Sequence, residues 1–210
     1  MGCTRPDAGG LYFGCNDLTW WMHDALKSYF LERTKVNEET LASLSPYFKE
    51  KAYKKNELLL REGEVCKFNY FVISGCLRLY SVSRDGSENT RHLAFEGRFA
   101  TAFTSLITAQ PSMEYIQSME HSTVLSISKA DFFELVNNQP AVNKVYRNIL
   151  EAAYITTQKR IYDLQGANSL ERLKGLLEQQ PNVFKRVSGK VIASYLGVTP
   201  YTLSRLKNRL

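Results

Sequence analysis

The 210-residue sequence has no uninterrupted apolar run of about eighteen residues, the length a helix needs to cross a bilayer, which excludes a membrane-spanning helix. Cysteine is scarce. Cys3, Cys15, Cys66 and Cys76 show no C-x-x-C spacing and are widely scattered, whereas a zinc or iron–sulfur site needs several ligands converging on one metal. Thiols are expected rather than disulfides, because the short apolar patch ending in Cys15 is broken by glycines and preceded by Asp7, unlike an export signal. His23, His92 and His121 stand alone, and there is neither a G-x-S-x-G motif nor a glycine-rich phosphate loop followed by lysine. These absences predict a cytoplasmic chain that is not an enzyme, has no metal and has no membrane partner.

Acidic side chains are almost missing from the end of the chain. From Gly166 onward there are eight Lys and Arg against Glu171 and Glu178, while residues 1–165 hold nineteen basic and nineteen acidic side chains. The net charge of +6 therefore resides in the last 45 residues, as a patch of one sign that suits a polyanion. With 44% hydrophobic residues the chain has enough apolar surface to close one or two globular cores.

Patterning divides the chain into four parts. Residues 1–21 have no period and read as an N-terminal extension for which disorder is expected; Met22 opens the first helix, and Leu41 to Phe48 read as a short one interrupted at Ser45-Pro46. From Lys55 to Ser128, within a domain spanning residues 22–138, short alternating stretches such as FNYFVISG and CLRLYSVS are punctuated by glycine. That spacing indicates a β-barrel or sandwich, with Asp85-Gly86 as a hairpin turn. Asp131 is expected to cap a helix over FFELVNN. Pro140 then sits in the first turn of a long helix, residues 139–165, whose apolar residues Val142, Val145, Ile149, Ala152 and Thr156 are read as a seam with a second copy of the chain. Gly166-Ala167 breaks this helix, and Asn168 with Glu171 forms a capping box for the next.

Residues 166–210 end in KVIASYLGVTPYTLSRLKNRL. Ala193, Gly197, Leu203 and Leu206 occupy the positions that a helix-turn-helix requires to be small, turning and apolar. Thr199 can cap the second helix and Pro200 fits its first turn. Tyr201, Thr202, Ser204, Arg205, Asn208 and Arg209 are then free to meet base edges or phosphates, with Lys207 and Lys190 available for phosphate. The expected partner is double-stranded DNA.

REGE followed by NYFVISGCLRLY and FEGRF, together with IASYLGVTPYTLSRL, resembles the Crp/Fnr family of bacterial transcription regulators over residues 22–210. The resemblance implies an α+β chain. Its parts would be a double-stranded β-helix or jelly-roll sensor domain of cyclic-nucleotide-binding type, a long dimerisation helix and a helix-turn-helix domain, here with no residues left for a C-terminal wing. It implies a homodimeric, sequence-specific DNA-binding regulator with RNA polymerase as a further partner. Arg205 matches the arginine that reads a guanine in the family, and Tyr201 stands where many members have glutamate.

The resemblance also places an effector pocket at Phe99, Thr101, Ala102, Phe103, Ser112, Met113 and Glu114. Members that bind cyclic AMP carry a Gly-Glu-Leu after the Gly-Asp-Phe turn and an Arg-Ser-Ala beyond it. Here Ala102 replaces the ribose-binding carboxylate, and no arginine lies between Arg98 and Arg147. A buried phosphate without a partner is costly. Cyclic AMP is therefore not expected to bind in the family manner, and no cofactor is assigned. The alternative reading is a small-ligand sensor or partner-binding module that does not bind DNA.

Overall fold

The computed structural model describes residues 18–166 and 168–210. Helix α1 (Leu18–Arg33) begins four residues before Met22, so the expected extension overlaps a helix at its end, and the rest of it lies outside the described residues. Helix α2 (Glu38–Leu44) is capped by Asn37, whose side chain accepts from the Thr40 amide at 2.9 Å. A 3-10 turn over Ser45–Tyr47 follows, with Pro46 where its missing N–H costs nothing.

Among the described residues, eight strands form two antiparallel sheets: β1 (Lys49–Tyr53), β2 (Leu58–Leu60), β3 (Phe68–Ser74), β4 (Leu77–Val82), β5 (Glu88–Ala94), β6 (Phe99–Ala100), β7 (Tyr115–Ser118) and β8 (Ser122–Ser128). One sheet runs β1-β8-β3-β6 and the other β2-β7-β4-β5. Their inner faces enclose Tyr70, Val72, Leu77, Leu79, Ile116 and Val124, all buried. The alternation read from β3 is the physical cause: Tyr70 and Val72 face inward between the sheets, while Phe71 turns to a second core beneath α1.

Two elements depart from expectation. KEKAY forms β1, paired with β8 along its length, although four of its five residues are exposed; edge pairing rather than an apolar face makes it a strand. Phe103–Thr108 forms helix α3, closed by Ala109 in the left-handed region at φ 57°. The cap of α4 (Lys129–Asn138) is also corrected. Ser128, not Asp131, stands at its N-terminus and accepts from the Asp131 amide at 3.1 Å, while the Asp131 carboxylate accepts from the Ser128 hydroxyl at 2.6 Å.

Helix α5 (Pro140–Gln165) starts at its proline as expected. The residues expected at the seam divide: Ala152 and Thr156 are exposed, whereas the earlier ones turn inward. Val142 and Val145 are buried in the chain's own core with Leu26, Phe30, Phe132 and Leu135, and Ile149 packs against the same cluster. An apolar stripe demands a neighbour, and periodicity alone does not say whether that neighbour is the chain's own barrel or another copy. From residue 151 to 157 every residue of α5 is exposed. Tyr154 and Ile155 are about two-thirds exposed, and Ile161 and Tyr162 repeat them seven residues later.

Helices α6 (Ser169–Gln179), α7 (Val183–Arg186), α8 (Gly189–Leu196) and α9 (Pro200–Lys207) complete the chain. The Asn168–Glu171 capping box forms in full. Their core is not self-contained. Leu173, Val183, Ile192, Leu203 and Leu206 share one buried cluster with Cys76, Leu93, Phe95 and Met119 of the barrel.

Candidate nucleic-acid interface and effector cavity

Helix α8 is capped by Ser188 and ends at Gly197, which takes φ 65° and returns its amide to the carbonyl of Ser194. The left-handed turn needs glycine. Two residues on, the Thr199 hydroxyl accepts from the Thr202 amide at 3.1 Å, and Pro200 begins α9. Ala193, only 1% exposed, lets the two helices approach, and Leu203 and Leu206 seat α9 on α8 and α6. The hairpin thus assembles as its sequence dictates.

What remains outside is basic. Tyr201, Ser204, Arg205, Lys207, Asn208 and Arg209 are exposed on or just after α9, and Lys190 is exposed on α8. Thr202 is half-buried, and its hydroxyl and that of Thr199 are 2.9 Å apart. The Arg205 guanidinium lies 5.8 Å from the Tyr201 ring centre, and the Lys207 ammonium 4.4 Å from that of Phe184. Both cations therefore stand over aromatic faces with their charge turned to solvent.

Not every cation of the tail belongs to this surface. Arg186 turns back onto the barrel, donating to Glu96 Oε1 at 2.6 Å, to Glu120 Oε1 at 2.6 Å and to the Gly75 carbonyl at 3.1 Å. Burial alone would raise the Glu96 carboxyl, but the Arg186 and backbone hydrogen bonds outweigh it and hold the group below its ordinary value. Arg172 donates to the carbonyls of Leu196 and Asp163. Ser194 of α8 adds a third tie, accepting from the Thr90 amide at 2.8 Å and donating to the Glu88 carbonyl at 2.6 Å. The helix-turn-helix is docked on β5 by these bonds as well as by the shared apolar cluster.

A cavity of about 220 Å³ lies between the barrel and α5. Of the residues expected at an effector pocket, Phe99, Thr101 and Phe103 line it. Ala102, Ser112, Met113 and Glu114 do not. Ala102 is buried at the start of α3, the Ser112 hydroxyl is used by the Glu114 backbone, and Met113 is 81% exposed. Glu114 carries no unopposed charge into the cavity, because Arg91 pairs with both of its carboxylate oxygens. Ile149, Ala152 and Thr156 of the expected seam line the cavity too, Ala152 and Thr156 remaining exposed to solvent.

The lining that sequence reasoning missed is polar: Asn69, Arg91, His92, Arg98 and Arg160. The arginines come from β5, from the turn before β6 and from α5 rather than from the stretch after Arg98, so a search of that stretch alone could not find them. Alternation in β3 is the available signal for Asn69, since it shares a face with Phe71. Burial, with Arg91, Arg98 and Arg160 nearby, brings the His92 imidazole down to about 4. A base whose folded value lies below its free value of 6.5 leaves the unfolded chain binding more protons between the two. Stability is therefore expected to fall as pH drops through that window, and His92→Gln to flatten the fall, as read from urea midpoints at about pH 7 and about pH 5.

Residues 50–139 match the family model described as a cyclic nucleotide-binding domain. Beyond that segment, the chain is 26% identical over 179 residues to electron transport regulator A of Shewanella oneidensis, covering 77% of this chain and 68% of that protein. It is 24% identical over 189 residues to the anaerobic regulatory protein of Haemophilus influenzae, covering 83% and 72%. Both matches extend well beyond the 90 residues of the family model.

The chain carries a cyclic nucleotide-binding domain and is similar over most of its length to regulators of the Crp/Fnr type. Its fold agrees, superposing on the structure of FixK2 from Bradyrhizobium japonicum with a TM-score of 0.68 at 18% identity, over 78% of this chain and 84% of that one. Regulators of the Crp/Fnr family bind DNA as dimers, and the relatives that match along most of this chain are regulators rather than enzymes. Among the described residues no helix is long and apolar enough to cross a membrane.

Proposed function

We propose that this Crp/Fnr regulator reads a specific duplex sequence with α9, as a homodimer whose two copies set their α9 helices about 34 Å apart, one turn of B-DNA. The observation that carries the reading is the exposed set Tyr201, Arg205 and Lys207 on α9, with Arg209 just after it, while Leu203 and Leu206 engage the helix's other side. Arg205 is the base reader, because a guanidinium can donate two parallel bonds to guanine. Tyr201, Thr202, Ser204 and Asn208 flank it, while Lys190, Lys207 and Arg209 serve phosphates and Thr199 preorganises the helix start. The exposed Tyr154, Ile155, Ile161 and Tyr162 of α5 supply the pairing face.

In this reading residues 22–138 form the sensor domain, 139–165 the dimerisation helix and 166–210 the DNA-binding domain, at work in the bacterial cytoplasm beside RNA polymerase. The cavity between barrel and α5 is its effector site. Ala102, buried and apolar, supports the view that cyclic AMP is not held in the family manner.

Arg205→Ala is expected to lower discrimination at one base pair by about 1–3 kcal/mol while leaving affinity for random duplex little changed, measured by filter binding on matched specific and random oligonucleotides. Equal losses on both would contradict the assignment of Arg205 as a base reader.

A further inference from the structure

The cavity between the barrel and α5 carries an unusual combination. Asn69 is 1% exposed, lines the cavity, and neither its side-chain oxygen nor its nitrogen has a hydrogen-bond partner. A buried amide left unpaired costs its full desolvation penalty, so a partner is expected in one functional state. The charges point the same way. Arg91, Arg98 and Arg160 line the space and no described carboxylate does. Glu114 neutralises Arg91, whereas no described carboxylate pairs with Arg98 or Arg160. Arg160 rests instead on neutral acceptors, its Nη2 donating to the Thr90 carbonyl at 2.9 Å and to the Tyr195 carbonyl at 2.7 Å.

We propose that this cavity binds a small organic anion, with Arg98 and Arg160 facing its charged group and Asn69 bonding a polar group beside it. The volume of about 220 Å³ lies below the roughly 300–1,000 Å³ of ordinary ligand pockets, which favours a compact carboxylate or single phosphate ester over a nucleotide. Phe99, Phe103 and Ile149 supply apolar walls around that polar set. The charge is read from α5 and from the turn before β6, and not from a strand arginine after α3.

Arg160 also gives the site its consequence. The same guanidinium that faces the ligand holds the backbone of α8 through Tyr195 and that of β5 through Thr90. A bound anion competes with those carbonyls for it, so occupancy loosens the tie between sensor and helix-turn-helix. The inference rests on reading the cavity as the effector site and adds the ligand's chemical class and the residue that transmits its binding.

Titration calorimetry on the full chain tests it, with inorganic phosphate and malonate as separate probes at an ionic strength held by chloride. One saturable site for at least one probe is expected, weakened by about tenfold or more in Asn69→Leu and in Arg160→Gln, and unchanged in Arg205→Ala, which controls for phosphate on the terminal helix. Asn69→Leu removes unpaired polar atoms at nearly constant volume, so its urea midpoint without ligand should rise, whereas a merely structural asparagine would make it fall. No saturable site for either probe, or a site lost only in Arg205→Ala, overturns the proposal. Duplex binding measured on the same samples separates the two readings: anion uptake without DNA binding sinks the regulator reading alone, and DNA binding without anion uptake sinks this one alone.

Discussion

Affinity for duplex DNA is expected to fall by about 10³-fold or more as salt rises from about 50 to about 200 mM, because each phosphate neutralised by a lysine or arginine releases counterions. The structure says which cations to count. Lys190, Arg205, Lys207 and Arg209 are exposed at the helix-turn-helix, so two copies offer eight, within the range of six to ten contacts for which losses of this size are typical. Arg172 and Arg186 do not enter the count: one is bonded to the carbonyls of Asp163 and Leu196, the other to Glu96, Glu120 and Gly75. Filter binding across a salt series gives the slope directly. A flat line would mean that the exposed row on α9 meets no phosphate, and would favour a module that binds protein partners.

Gly75→Ala should be the most damaging single methyl in the described structure. Gly75 lies between β3 and β4 at φ 94°, where an L side chain is strained, and an added Cβ would sit 2.2 Å from the Ser122 hydroxyl and 2.7 Å from its Cα. The second distance involves backbone, so rotating a side chain away does not relieve it. Moving the turn instead disturbs the Gly75 amide, bonded to Glu96 at 2.8 Å, and the Gly75 carbonyl, bonded to Arg186, both part of the joint that docks the terminal helices. A loss of about 3 kcal/mol or more is expected in urea unfolding. Gly86→Ala is the control. That glycine has φ 81° but open space around it, so only the backbone term of about 1–2 kcal/mol applies. Similar midpoints for the two variants would show that the β3–β4 turn repacks.

Local grammar was legible wherever a residue acts on its own backbone neighbours. Asn168 with Glu171, Thr199 before Pro200, Pro140 at the head of α5 and Gly197 in its turn each do what their chemistry requires within a few positions along the chain. Failures came where a partner distant in sequence decides. KEKAY has no apolar face, and β8 makes it a strand. Phe103–Thr108 lies in a stretch read for its likeness to a nucleotide-binding loop, and its helical turns went unrecognised. Ser128 displaced Asp131 as the cap because β8 runs directly into α4 and delivers the serine to that position.

From sequence alone, then, came the class of the protein: a barrel or sandwich of short alternating strands, a long helix opened by Pro140 and a capped basic hairpin at the end, since periodicity, caps and charge act locally and survive in one dimension. Only the tertiary structure decided which stripe of α5 faces the barrel, which arginines of the tail turn inward, and that Asn69, Arg98 and Arg160 meet around one cavity. Those outcomes depend on groups from separate elements arriving at the same place. Their pairings balance burial against charge across three dimensions, and no spacing along the chain encodes them.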